Sequence, residues 1–176
     1  TYYFADAHIA NRGPEQAAYI SPMRDAIDAG LHPTNHTDFV VAPLDQMFVL
    51  WSAVNRISRS GDVIGGGQRV GALEGLKAQT IWAAEQYGEG GEKGSLEPGK
   101  LADLVILDGN PLKVEPAAIK DIILRSGLKD GEGLYFDAGF TGAAGRLEGL
   151  HEALGFHQHL ALPILRAAMP ADMPPA

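Results

Sequence analysis

Cysteine is absent from the 176 residues. That excludes disulfides and thiolate metal sites, so any metal here must take histidine and carboxylate ligands. Long apolar runs are missing too, and none approaches the roughly 18 residues that suggest a membrane span. Basic charge is scarce: 14 Lys and Arg face 22 Asp and Glu, a formal net charge of −8. A phosphate backbone or an anionic membrane is therefore repelled, which argues against nucleic acid or membrane as a partner. No basic segment followed by an apolar one opens the chain at Thr1, so the default expectation is a cytoplasmic protein. What remains is ordinary for a globular chain, 45% hydrophobic and 20% charged.

The patterning divides the chain. Tyr2-Tyr3-Phe4 suits a short strand with Asp6-Ala7-His8 at its end, and Ser21-Pro22 suits a helix start with Ser as N-cap. Gly30 is the expected C-terminal cap of that helix, and Leu31 to Thr37 the next strand. From Pro43 or Leu44 a helix carries Met47, Phe48, Trp51, Val54 and Ile57 at helical spacing. After the glycines at 65 to 67, read as a flexible connection, a second helix is expected over Ala72 to Tyr87. Its buried stripe would be Leu73, Leu76, Thr80, Ile81 and Ala84. Alternating strand and helix over the first ninety residues favours βα units.

Residues 92 to 108 follow another rule. Glu97-Pro98-Gly99-Lys100 reads as a tight turn with Lys100 exposed, Leu104-Val105-Ile106-Leu107 as a strand buried on both faces, and Asn110-Pro111 as a further turn. Asp103 and Asp108 bracket the strand as turn and edge residues. This block resembles the C-terminal signature of the metal-dependent amidohydrolase superfamily. Upstream, His36-Thr37-Asp38-Phe39-Val40-Val41-Ala42-Pro43, Trp51-Ser52-Ala53-Val54-Asn55-Arg56 and the stretch Glu74 to Gln86 follow in family order. They resemble amidohydrolase family 3. Leu128-Lys129-Asp130-Gly131-Glu132-Gly133-Leu134-Tyr135 resembles the family's terminal hairpin imperfectly. Residues 137 to 176 carry no recognisable motif, with helix-compatible leucine spacing up to Pro163.

The resemblance implies an α/β fold: the C-terminal βα units of a (β/α)8 TIM barrel over residues 1–90, and part of a small β-sandwich over 91–136. A whole barrel takes about 250 residues, so only its C-terminal portion fits here. The family site lies at the barrel mouth and holds one or two divalent ions, expected to be zinc. Its ligands are a His-x-His pair, a carboxylate or carbamylated lysine, two further histidines and a final aspartate.

Asp38 is the candidate for that aspartate, as metal ligand and as the base that takes a proton from water. Its bland alternative is a turn or cap aspartate. His36, two residues earlier, would share a strand face with Asp38 and contact substrate or orient the carboxylate; otherwise it fills the interior. His8 would open onto the same rim if the two strands were parallel neighbours, which makes it a second candidate substrate contact. His32 is expected to be structural, and Arg12 a solvated or loop residue. His157-Gln158-His159 has the form of the family's first metal motif but lies at the wrong end of the chain, so solvated tail histidines are the better reading. Met47, Phe48 and Trp51 read as core. The glycines at 65 to 67 lack the surroundings of a phosphate loop.

Two functions follow. One is a metal-dependent hydrolase piece that cleaves a non-peptide C–N bond of a small-molecule substrate. The other is a catalytically inactive fragment serving packing or association. Unpaired barrel strands would invite self-association or pairing with a complementary chain.

Overall fold

Asp45 sets the start of the helix around which the first part of the chain packs. Its Oδ1 accepts the Phe48 N–H at 2.9 Å, satisfying one of the orphan donors of a helix N-terminus. In this computed structural model, which describes residues 1–38 and 42–136, that helix is α4, Gln46–Asn55. It begins two or three residues beyond the expected Leu44 or Pro43, because the cap and not the proline fixes its first turn. Before it come α1, Ala5–Arg12, α2, Pro14–Ala18, and α3, Met23–Asp28; after it come α5, Ala72–Gln79, and α6, Ile81–Gln86.

The chain divides into two compact units. The first comprises Thr1–Ser95 and Gly109–Ile122. α4 serves both of its apolar clusters. Ala53 packs with Met23, Val70, Ala78 and Trp82, while Leu50 and Trp51 pack with Ile119 from the 3-10 helix Pro116–Asp121. Burying each large side chain contributes about 1.5–3 kcal/mol, so an apolar stripe on both sides makes α4 the axis of this unit. Lys120 places its ammonium 5.0 Å over the Trp51 ring.

Several local expectations are corrected here. Tyr2-Tyr3-Phe4 is a turn entering α1, not a strand. The Ala5 and His8 N–H groups donate to the Thr1 and Phe4 carbonyls, the i to i−4 pattern of a helix. Leu31 to Thr37 forms no strand either. A strand needs a neighbour to take its polar backbone, and the Asn35 N–H goes instead to the Ala78 carbonyl at 3.2 Å. Apart from the isolated bridge between Ile57 and Val63, no β pairing precedes residue 104 among the described residues.

Ser21 is not an N-cap: it has φ of +46° and Pro22 precedes α3 without a side-chain cap. Gly30 does close α3. Leu31 N–H reaches the Ala26 carbonyl and Gly30 N–H the Ile27 carbonyl, a Schellman motif. The long helix expected over Ala72 to Tyr87 is broken at Thr80, whose φ is −127° and ψ −98°. Its hydroxyl donates back to the Leu76 carbonyl at 2.8 Å, the competition by which threonine disturbs a helix. Leu73 and Thr80 consequently lie on the exposed side, and Gly75, Ala78, Trp82 and Ala84 make the buried one.

The second unit comprises Leu96–Asp108 and the described residues from Ile123 onward. It is an antiparallel sheet in the order β1-β2-β3, with β1 Leu104–Leu107, β2 Leu124–Lys129 and β3 Glu132–Phe136. The Glu97–Lys100 turn closes as expected, with Lys100 N–H on the Glu97 carbonyl at 3.2 Å and Gly99 at φ +93°. Lys100, expected to be exposed, leaves only 11% of its side chain accessible and lies 3.6 Å from the Glu97 carboxylate. β1 is not buried on both faces: among the described residues it stands at the sheet's edge, and Val105 remains 56% exposed. Between β2 and β3, Asp130 at φ +52° and Gly131 at φ +78° form the two-residue turn whose twist suits a hairpin. Asp103 Oδ1 accepts the Asp130 N–H at 2.8 Å, and Asp108 Oδ1 the Ile123 N–H at 2.8 Å. Both aspartates thus serve the turns and edges. No helix among the described residues is long and apolar enough to cross a membrane.

Candidate functional site

The segment 34–38, irregular and without a strand ladder, is held by its one asparagine. Asn35 donates its N–H to Ala78 O and its side-chain amide to Val49 O at 3.4 Å. Thr37 is buried beyond it, and His36 and Asp38 on either side are exposed. Asp38 adopts φ +53°, a left-handed conformation that aspartate tolerates better than most residues. In that conformation its main-chain N–H donates to His36 Nδ1 at 3.0 Å. The two residues are joined by a local turn, where the expectation had them share a strand face.

Both line a cleft of about 260 Å³. Tyr2, Tyr3, Phe4 and Phe48 form an aromatic wall. Thr1, Ser52 and Arg56 also line it, the hydroxyls of the first two 2.7 Å apart. A second cleft of about 270 Å³ is lined by Thr34, Asn35, Gln46, Gln79, Gln86 and Tyr87, with His36 on the border of both.

Arg56 stands out in the sequence only as part of a motif, yet just 2% of it is accessible. Its φ of +52° ends α4, and its guanidinium donates to the carbonyls of Ile64 (2.8 Å), Ser21 (3.1 Å), Ala18 (3.4 Å) and Ile20 (2.7 Å). Burial, and secondarily the nearby Arg69, lower its pKa from the ordinary arginine value. An arginine directly after the apolar run of α4 is the sequence signal that points to it. The aromatic wall is missed for another reason: helical spacing marks Phe48 as core and cannot show that one of its faces opens on a cleft.

His8 is not brought to this site. It lies half-buried within α1 and does not line the cleft. His32 has the packing role expected of it, with Nδ1 2.6 Å from Glu85 and its ring stacked on Trp82 at 4.9 Å. Arg12 is exposed. Phe39 to Val41, His157, His159 and the tail from residue 137 lie outside the described residues.

A catalytic zinc ordinarily takes three protein ligands and a water. No three His, Asp or Glu side chains gather among the described residues. His36 Nδ1 accepts the Asp38 N–H, which puts the proton of the neutral ring on Nε2 and leaves the Asp38 carboxylate as the metal donor on this face. The residues present do not fit a complete metal site.

The amidohydrolase family model matches residues 2–135. The chain belongs to the amidohydrolase family. This is the membership that the segments from Thr37-Asp38 to the terminal signature point to, and the match takes in the whole described part of both units save its ends. The amidohydrolase chain is also similar to an N-substituted formamide deformylase from Arthrobacter pascens, with 31% identity over 106 residues that make up 60% of this chain and 20% of that protein. It therefore spans about a fifth of that relative's length. Among solved structures, a prolidase complexed with N-methylphosphonate-L-proline gives a TM-score of 0.39 at 25% identity over 74% of this chain and 33% of its own. An amidohydrolase from Thermotoga maritima gives 0.36 at 21% identity, over 71% and 36%.

Proposed function

We propose that this chain is the C-terminal portion of a metal-dependent amidohydrolase that cleaves a non-peptide C–N bond of a small molecule, with Asp38 as the carboxylate that handles the proton. The observation carrying this reading is Asp38 itself. It stands within the family match, exposed on the lip of a cleft and tied to His36. In hydrolysis of an amide, water adds to the carbonyl carbon and loses a proton, the C–N bond breaks, and the departing nitrogen gains a proton. One carboxylate can take the first proton and deliver the second, leaving a carboxylic acid and an amine. His36 Nε2–H would hold the amide oxygen or the carboxylate in place. The printed name of the Arthrobacter relative makes an N-substituted formamide a natural first substrate to assay.

The proposal includes a divalent ion, zinc by expectation, with Asp38 as the one ligand assigned in this chain. It also includes residues 1–90 as the C-terminal part of an amidohydrolase barrel and 91–136 as a segment of its β-sandwich. His8 enters only as a residue to be tested by substitution, since its helix keeps it off the cleft.

The test is metal analysis of the purified chain together with amide-hydrolysis assays. Stoichiometric zinc, and turnover abolished by Asp38→Asn, would support the hydrolase. A chain that binds no metal and shows no turnover would instead establish the second reading, a catalytically inactive piece serving packing or association. The incomplete ligand set among the described residues favours that alternative.

A further inference from the structure

Thr80 and the His36–Asp38 turn lie far apart in sequence, and one carbonyl joins them. In an unbroken helix the Leu76 carbonyl would take the Thr80 N–H. It takes the Thr80 hydroxyl instead, at 2.8 Å, and the N–H turns to the Lys77 carbonyl at 3.1 Å. Thr80 is exposed, so its hydroxyl and not its packing makes this exchange. The loop that follows α6 fits closely over the break. A Cβ on Gly94 would fall 3.2 Å from the Thr80 carbonyl oxygen and 2.9 Å from Ile81 Cα.

The break frees the Ala78 carbonyl, which an unbroken helix would give to the Trp82 N–H. Ala78 is fully buried, and a buried carbonyl needs a donor. The Asn35 N–H supplies it at 3.2 Å. The Asn35 side-chain amide donates to the Val49 carbonyl at 3.4 Å, so the residue before His36 is tied to α5 and α4 at once. Thr37 is buried, and His36 and Asp38 on either side of it are exposed. They are joined by the 3.0 Å bond from the Asp38 N–H to His36 Nδ1.

We propose that Thr80 is a positioning residue for the His36–Asp38 turn, acting through the Ala78 carbonyl and the main chain of Asn35. Without the hydroxyl, α5 and α6 are free to join. The Ala78 carbonyl then returns to the Trp82 N–H, Asn35 loses its main-chain anchor, and the turn beside it loses its fixed start. The consequence for turnover rests on the proposed function; the placement of the turn does not, and the two are measured separately.

The two nitrogens of an N–H···N hydrogen bond share a scalar coupling, so nuclear magnetic resonance of the intact, isotope-labelled chain reads the Asp38–His36 bond directly. The wild type should show this coupling. Thr80→Val keeps the side-chain shape and loses the hydroxyl, so the coupling should be lost. The Asn35 amide proton should move upfield as it parts from Ala78. The Phe48 amide, held by Asp45, should keep its position and reports that α4 is intact. Thr80→Ser restores the hydroxyl and should retain the coupling. Should Thr80→Val fail to fold, Thr80→Ala makes the same test with the strongest helix former at this exposed position.

A coupling of wild-type strength in the folded Thr80→Val or Thr80→Ala chain overturns the inference. So does a coupling lost equally in Thr80→Ser, or absent from the wild type. Where the wild type turns over an N-substituted formamide, Thr80→Val should lower kcat and leave KM nearly unchanged, since the turn and not the fold is displaced. Coupling lost in Thr80→Val, alongside absent turnover in the wild type, would remove the hydrolase reading and leave the positioning role standing. Wild-type turnover matched by Thr80→Val with its coupling intact would do the reverse.

Discussion

The main-chain N–H of Asp38 donates to Nδ1 of His36 across 3.0 Å, so the neutral imidazole on the cleft carries its proton on Nε2. One hydrogen bond thus sets the tautomer of the histidine and the turn that presents the carboxylate. The pair acts as a unit, and it is made by two residues of local sequence.

Asp38→Asn should lower turnover about 10²- to 10⁴-fold, the range a positioned acid–base group contributes. Asparagine also tolerates the left-handed backbone at φ +53°, so melting temperature should hardly change. His36→Ala should lower kcat by less and leave the fold intact, because the freed Asp38 N–H is exposed to water. Steady-state kinetics with thermal melts checks both; a stable Asp38→Asn variant with wild-type kcat would remove the proposed role.

Arg56→Ala should be strongly destabilising, by about 3 kcal/mol or more, since it strips donors from four carbonyl oxygens around a buried side chain. Arg56→Lys should recover only part of this. An ammonium has three donors on a point, whereas the guanidinium spreads its donors in a planar fork. Urea unfolding of the two variants is the measurement.

Glu74 provides a pH-dependent term. Its carboxylate accepts the Gly71 N–H at 2.8 Å and meets Arg24 Nη1 at 2.8 and 2.9 Å. The Gly71 bond first, and then Arg24 against some opposing burial, hold its pKa below the ordinary 4.5. A depressed folded pKa contributes stability that is present above 4.5 and is lost as pH falls through the folded value. Glu74→Gln should therefore destabilise the protein by about 1 kcal/mol at neutral pH. Its stability profile should converge with wild type in acid. Melting temperature against pH shows whether the two curves meet.

Gly65→Ala should be disruptive and Gly67→Ala close to neutral. A Cβ on Gly65 would fall 1.8 Å from the Ala18 carbonyl oxygen, at φ +57°, whereas one on Gly67 meets nothing within 4 Å. The loss at 65 should be about 2 kcal/mol or more. Comparing the pair by thermal melting separates close packing from mere chain flexibility, the role that sequence alone suggests for these glycines.

Much is legible where a few neighbouring residues decide the backbone. Pro98-Gly99, Asp130-Gly131 and Gly30 each dictate a turn or a helix end through φ alone, and all three are found. Asp45 capping α4 is equally local, although the apolar run draws the boundary two or three residues early. Thr80 is harder. A threonine tolerated by the periodic pattern breaks the helix through a bond to Leu76, which frees Trp82 to join the cluster of Met23 and Ala53. The strand expected for Leu104–Leu107 is present, but the exposure of Val105 depends on which strands lie beside it.

Family membership, the chain's acidic character and the turns at Pro98-Gly99 and Asp130-Gly131 were determined by the sequence alone, because each rests on residue identity over short spans. Tertiary structure alone decided that Asp38 and His36 share a cleft with Tyr3 and Phe48, that His8 is excluded from it, and that Arg56 is buried among four carbonyls. Those outcomes depend on contacts between residues tens of positions apart, and no periodicity or local propensity encodes which distant surfaces meet.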